Sequence, residues 1–202
     1  MFCCNDMSSF VLQRHNALKD EVMQLAKHAG FQAVDSGLGR MIAEDGRQGD
    51  TLFTGLGHGG QDLVVDYSIA NACAPSYIQQ SAHVQGHAMH LREDAKNTKY
   101  KEQYRRLGVD FKPLVMEMHG AISDTFLKFI KKLASAAADR HDRPYCIIFS
   151  YWQRRISTVL QKFNARILYL TQCKIDGTRP CGGLGFANEL KEIMFDEFYP
   201  QY

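Results

Sequence analysis

The chain has 202 residues, with 24 Lys and Arg against 22 Asp and Glu, 45% hydrophobic and 23% charged residues. This is a globular composition, and the length suits one domain or one domain with appendages. No window approaches 18 uninterrupted apolar residues, which excludes a transmembrane helix and makes a membrane an unexpected partner.

Six cysteines (Cys3, Cys4, Cys73, Cys146, Cys173 and Cys181) are spread without a CxxC pair. That argues against a disulfide scaffold or a Cys-type zinc site, and for reduced thiols in an intracellular setting, nuclear or cytoplasmic. The opening, MFCCNDMSSF, carries neither the basic nor the long apolar region of a secretory signal. The net charge of +2 hides a gradient: residues 1–95 sum to −5, residues 96–170 to +9 and residues 171–202 to −2. An acidic half followed by a basic stretch suits an enzyme whose carboxylates hold a cation while Lys and Arg hold a polyanion; solvated helix faces of differing sign would give the same sums.

In chain order, Val11, Leu18, Val22, Leu25 and Ala29 make one stripe of a helix over Phe10–Ala29, and Gly30 stands where a helix ends. Phe31–Val34 reads as a short strand, followed by the glycine-bearing loop SGLGRMIAEDGRQG. Asp50–Thr54 and Asp62–Ile69 read as two arms of an antiparallel hairpin around LGHGGQ. Alternation in DLVVDYSI puts Val64, Asp66 and Ser68 on one face and Leu63, Val65 and Tyr67 on the other.

A polar helix follows over Leu91–Leu107, with Tyr100, Tyr104 and Leu107 on one stripe and Lys96, Lys99, Gln103 and Arg106 on another. DFKPLVMEM reads as a strand that Pro113 confines to an edge. Ile122–Ala137 and Trp152–Ile167 are strongly periodic helices, and Trp152 lies on the apolar stripe of the second, which favours a core role over base stacking. Residues 171–202, with the amphipathic run ANELKEIMFDEF, read as a tail. The expected class is α/β (α+β): a small mixed sheet with a central hairpin, flanked by helices.

Asp50 begins one hairpin arm and Asp66 lies inside the other. A carboxylate within VVDYS is costly unless compensated. Two of them converging across a hairpin repel, and a hard divalent cation removes the penalty. Pairing of Asp66 with an Arg and a turn role for Asp50 are the plainer alternative. His83, His87 and His90 would share a face if a helix ran through them, which would suit Zn²⁺, but no HExxH glutamate accompanies them and Gly86 weakens such a helix. No GxxxxGK[ST] or GxSxG is present, which sets aside P-loop nucleotide hydrolases and serine hydrolases.

The ordered set R14-H15-N16, RQGD ending at Asp50, LVVDYS, A95-K-N-T-K-Y100, LGVDFKPLVMEMHG and SYWQRRISTVLQKFNARIL resembles the PD-(D/E)XK, or restriction-endonuclease-like, nuclease fold. More narrowly it is similar to the nuclease-like domain encoded with reverse transcriptases in eukaryotic retroelements. The resemblance covers roughly residues 12–170, so a nuclease-like domain is expected over 1–170 with 171–202 as its tail.

The resemblance implies a metal-dependent DNA endonuclease, mobile-element derived, using Mg²⁺ or Mn²⁺. Its partner would be DNA or an RNA–DNA hybrid, and a homodimer is allowed. Asp50 matches the aspartate of the PD half, with Gly49 where proline is usual, and Asp66 matches the acidic residue of the second half. Ser68 stands where the lysine would be, so Lys99 is the first candidate for that role and Lys96 the second. Glu21 would complete the metal site, with Asp35 as alternative. His15, Lys96, Tyr100, Arg105 and Arg106 would contact nucleic acid. A module of the same fold that binds nucleic acid without cutting it is the alternative, since fold alone does not grant activity.

Overall fold

The structure, a computed structural model, describes residues 8–35 and 49–178. The first helix, α1 (Ser8–His28), buries Leu18, Val22, Leu25, Ala26 and Ala29, whereas Val11, the first member of the expected stripe, is exposed. Gly30 ends it with φ +89°, and the bonds Gly30 N–H to the Lys27 carbonyl and Phe31 N–H to the Ala26 carbonyl close the helix end.

Three strands follow: β1 (Ala33–Asp35), β2 (Thr51–Phe53) and β3 (Leu63–Ala70). After the single-turn helix α2 (Ile78–Ser81) come α3 (His87–Arg106), β4 (Asp110–Glu117), α4 (Asp124–His141) and α5 (Tyr145–Ile175). Ser123 caps α4 by accepting the Phe126 N–H at 3.2 Å. The glycine-bearing loop at 36–48 and the run ANELKEIMFDEF lie outside the described residues, and α5 continues past residue 170, the expected end of the domain, to Ile175.

The sheet order is β1-β2-β3-β4, antiparallel across the first two pairs and parallel between β3 and β4. The class is therefore mixed α+β: a four-stranded mixed sheet with five helices among the described residues. A parallel pair needs a long crossover, and the segment bearing α3 supplies it. Pro113 sits on β4, an edge strand, where its missing N–H leaves no ladder bond unmade.

Both faces of the sheet are covered. Leu63, Val65 and Tyr67 of β3 join the main core with α1, α4 and α5, while Val64 packs with Tyr100, Tyr104, Val109 and Phe111 on the α3 side. Double burial explains why β3 reads as a nearly continuous apolar run broken by Asp66. Trp152 lies in the main core, 5% exposed. Among the described residues no helix is long and apolar enough to cross a membrane.

Candidate functional site

Unequal strand lengths create the site. β2 pairs only with Leu63–Val65, the last pair being Thr51↔Val65, so β3 runs on past Val65 with no β2 neighbour on that edge. One step further the same register sets Asp50 opposite Asp66. Asp50 donates its N–H to the Val65 carbonyl at 2.8 Å, and its Oδ2 accepts the Tyr67 N–H at 2.7 Å. Its side chain thus takes the place of a missing strand carbonyl.

Gly49 makes this approach possible. A Cβ there would lie 2.2 Å from Val64 Cγ1, and the Gly49 N–H donates to the Tyr104 hydroxyl at 2.9 Å. Proline, the residue usual in the PD motif, would supply the offending atoms and remove the donor.

Asp66 projects toward α3, where helix and strand run in matching steps. Four residues of helix advance about 6.0 Å and two residues of strand about 6.6 Å. Tyr104 and Tyr100 accordingly pack near Val64, Lys96 Nζ bonds Asp66 Oδ2, and Arg92 Nε approaches Ser68 Oγ at 3.4 Å.

The basic group bonded at the aspartates is Lys96, the second candidate, while Lys99 is placed elsewhere. Lys99 is exposed, with Nζ 4.9 Å from the centroid of the Tyr100 ring, because burial of Tyr100 and Tyr104 turns the Lys96 edge of α3 toward the sheet. Tyr100, buried by the same packing, is 9% exposed and lies against Phe111.

From the other face of the sheet, α1 delivers His15, whose Nε2 lies 3.2 Å from Asp50 Oδ2. The four groups Asp50, Asp66, Lys96 and His15 are partly screened from water, with side-chain exposures of 25%, 16%, 17% and 26%. Burial, then the charge of Asp66, pushes the Asp50 carboxyl up to about 7; the two carboxyl groups are near enough to share a hydrogen bond. Burial lowers His15 below the usual imidazole range, with Lys19, Lys96 and Arg14 acting the same way and Asp66 opposing. Near neutral pH Asp50 is therefore far less ionised than an ordinary aspartate, and burial disfavours the charged form of His15.

Glu21 stands elsewhere. Arg155 of α5 grips both its oxygens, Nε at 2.7 Å and Nη2 at 3.0 Å, and the pair is 12% exposed on each side. It lies six residues beyond His15, on a different face of α1, and α5 rather than the sheet meets that face. Asp35, the alternative, bonds Lys19 at 2.6 Å. Arg105 and Arg106 are exposed and share Glu102. Gly86, with φ +76°, is the N-cap of α3 and separates His83 from the helix bearing His87 and His90, so the three imidazoles do not share one helix face.

Arg14 was not expected to matter beyond its motif. It is 8% exposed and donates to Asn164 Oδ1 at 2.6 Å, while Asn164 donates to the Met118 carbonyl at 2.6 Å. Arg14 ties α1 to α5 and to the end of β4, which fixes the helix that carries His15. Its only sequence signal is adjacency to that histidine.

Two adjoining carboxylates, one of them unfavourable as an anion, match the chemistry of a hard cation that takes one or two carboxylates and keeps its waters. Among the described residues no group of three or more His, Cys, Asp or Glu side chains is arranged to hold a metal by itself. No protein-family model and no curated protein matches the chain.

Proposed function

We propose that this chain is a metal-dependent endonuclease-like domain of the PD-(D/E)XK kind, mobile-element derived, that hydrolyses phosphodiester bonds in DNA. The observation carrying the reading is the meeting of Asp50 and Asp66 where β2 stops and β3 continues, with Lys96 bonded to one and His15 to the other. The order of the motifs along the chain supports it.

Asp50 and Asp66 would hold Mg²⁺ or Mn²⁺, which supplies a more acidic bound water and neutralises charge gathering on the phosphate. Asp50 contributes most once its proton has left, and His15, with Nε2 3.2 Å from its Oδ2, holds the carboxyl in place. Lys96 takes the part of the lysine that Ser68 does not supply: it places a fixed positive charge beside Asp66, where a phosphate oxygen becomes more negative in the transition state. Glu21, held by Arg155, has a structural role.

The test is cleavage of plasmid DNA and of an RNA–DNA hybrid with Mg²⁺ or Mn²⁺, comparing the purified chain with Asp66→Asn. Metal-dependent nicking that the variant lacks supports the proposal. Equal nicking by both proteins identifies a contaminant and removes it.

A further inference from the structure

A second constellation lies away from the aspartates, where the C-terminal ends of α1 and α4 meet the flank of α5. A cavity of about 510 Å³ opens there, lined by Lys27, His28, Arg140, His141, Trp152 and Arg155, and no aspartate or glutamate is among its described lining residues. The volume is within the range of small-molecule sites. We propose that this cavity binds a nucleoside 5′-phosphate, presented by a nucleic-acid strand, as a subsite remote from the cleavage centre. The nucleotide class rests on the nuclease reading; the anion site rests on the cavity alone.

Helix dipoles account for basic residues in the last turns of α1 and α4, but not for Arg155, which comes from within α5. Arg155 is engaged by Glu21, whereas Lys27 and Arg140 lie exposed at the cavity.

Of the two imidazoles, His28 is set up as a donor. The rings of His28 and His141 stack at 4.2 Å, and His141 Nε2 donates to the His28 carbonyl at 2.9 Å. The Trp152 indole donates to His28 Nδ1 at 3.3 Å, which puts the proton of the neutral ring on Nε2 and leaves that N–H for an acceptor. Arg155 stacks over Trp152 at 5.0 Å and over Tyr151 at 5.6 Å, and it bonds the Tyr151 hydroxyl at 2.9 Å. The half-buried Tyr151 ring, held by its bond to Arg155 beside clustered Lys and Arg, is the pairing that reads base and phosphate together. His28 lies 13 residues beyond His15 on α1, about 20 Å along the helix axis, so the cavity and the aspartates occupy separate places on one strand's path.

Trp152 is the single tryptophan in the sequence, so fluorescence excited selectively at tryptophan comes from the wall of this cavity alone. The probe is thymidine 5′-monophosphate titrated into the full chain at low salt without divalent metal, with calorimetry as a second readout. The expected result is saturable binding that thymidine does not reproduce, and that Lys27→Ala combined with Arg140→Ala weakens at least about tenfold while Tm stays constant. Asp66→Asn should bind as wild type does, which separates failure of this site from failure of the nuclease reading. Tighter binding of 5′-phosphorylated oligo(dT) identifies a strand as the source, and equal binding identifies free nucleotide. Inorganic phosphate binding as tightly as the nucleotide overturns the nucleotide assignment. Absence of saturable binding by both methods, or binding untouched by the double substitution, overturns the site.

Discussion

Asp50 Oδ2 accepts the backbone N–H of Tyr67 at 2.7 Å, so a side-chain carboxylate fills the place of a strand carbonyl at the point where β2 stops. The bond holds Asp50 against β3 beside Asp66 and keeps it largely out of water. Burial and then the charge of Asp66 raise the Asp50 pKa, outweighing the lowering effect of the Tyr67 bond itself, and give the protein a measurable pH signature.

The sign follows from the raised value. A carboxyl at 3.8 when unfolded and about 7 when folded binds its proton more tightly in the native state. Its contribution to stability is therefore present below the ordinary carboxylate range and is lost as pH climbs through about 7. Asp50→Asn keeps an acceptor for Tyr67 and removes the titration. Its Tm relative to wild type should rise by roughly 3–6 °C between pH 4.5 and pH 8, as expected for about 1–2 kcal/mol in a chain of this size. A Tm difference that stays flat across this range would show that Asp50 is ordinary.

Divalent metal should remove the same strain. Millimolar Mg²⁺, Mn²⁺ or Ca²⁺ is expected to raise the wild-type Tm at pH 8 and far less at pH 5.5, where protons compete for Asp50. Asp66→Asn should abolish the increment. Thermal melts with and without chelator measure this, and an equal metal effect in the variant would point to a different binding place.

The two candidate lysines separate cleanly. Lys96→Ala removes the cation bonded to Asp66 and is expected to lower the cleavage rate by about 10²-fold or more. Lys99→Ala, on the exposed edge of α3, should change it less than about threefold at moderate salt. Single-turnover rates on one labelled duplex decide between them, and the reverse order would restore Lys99.

Glu21→Ala strands Arg155 without its bidentate partner between α1 and α5 and should cost about 2 kcal/mol of stability, read as a shift in urea midpoint. Cleavage per folded molecule should stay within about twofold, because Glu21 does not reach the aspartates. A metal affinity that falls sharply in this variant would return Glu21 to the site.

Much of this chain is legible in its letters. The α1 stripe and its glycine stop, the hairpin, the edge position of Pro113 and the two long apolar helices follow from local periodicity and turn chemistry, and so does the candidacy of Asp50 and Asp66. Periodicity cannot fix how far a helix is rotated against its neighbour. Lys96 and Lys99 lie only about 60° apart around α3, and packing of Tyr100 and Tyr104 on β3 chose between them. The partner of Glu21, the burial of Tyr100 and the parallel pairing of β4 with β3 were likewise decided by contacts between segments distant in the chain. Local spacing specifies which side chains share a face; only the packed structure determines what that face meets.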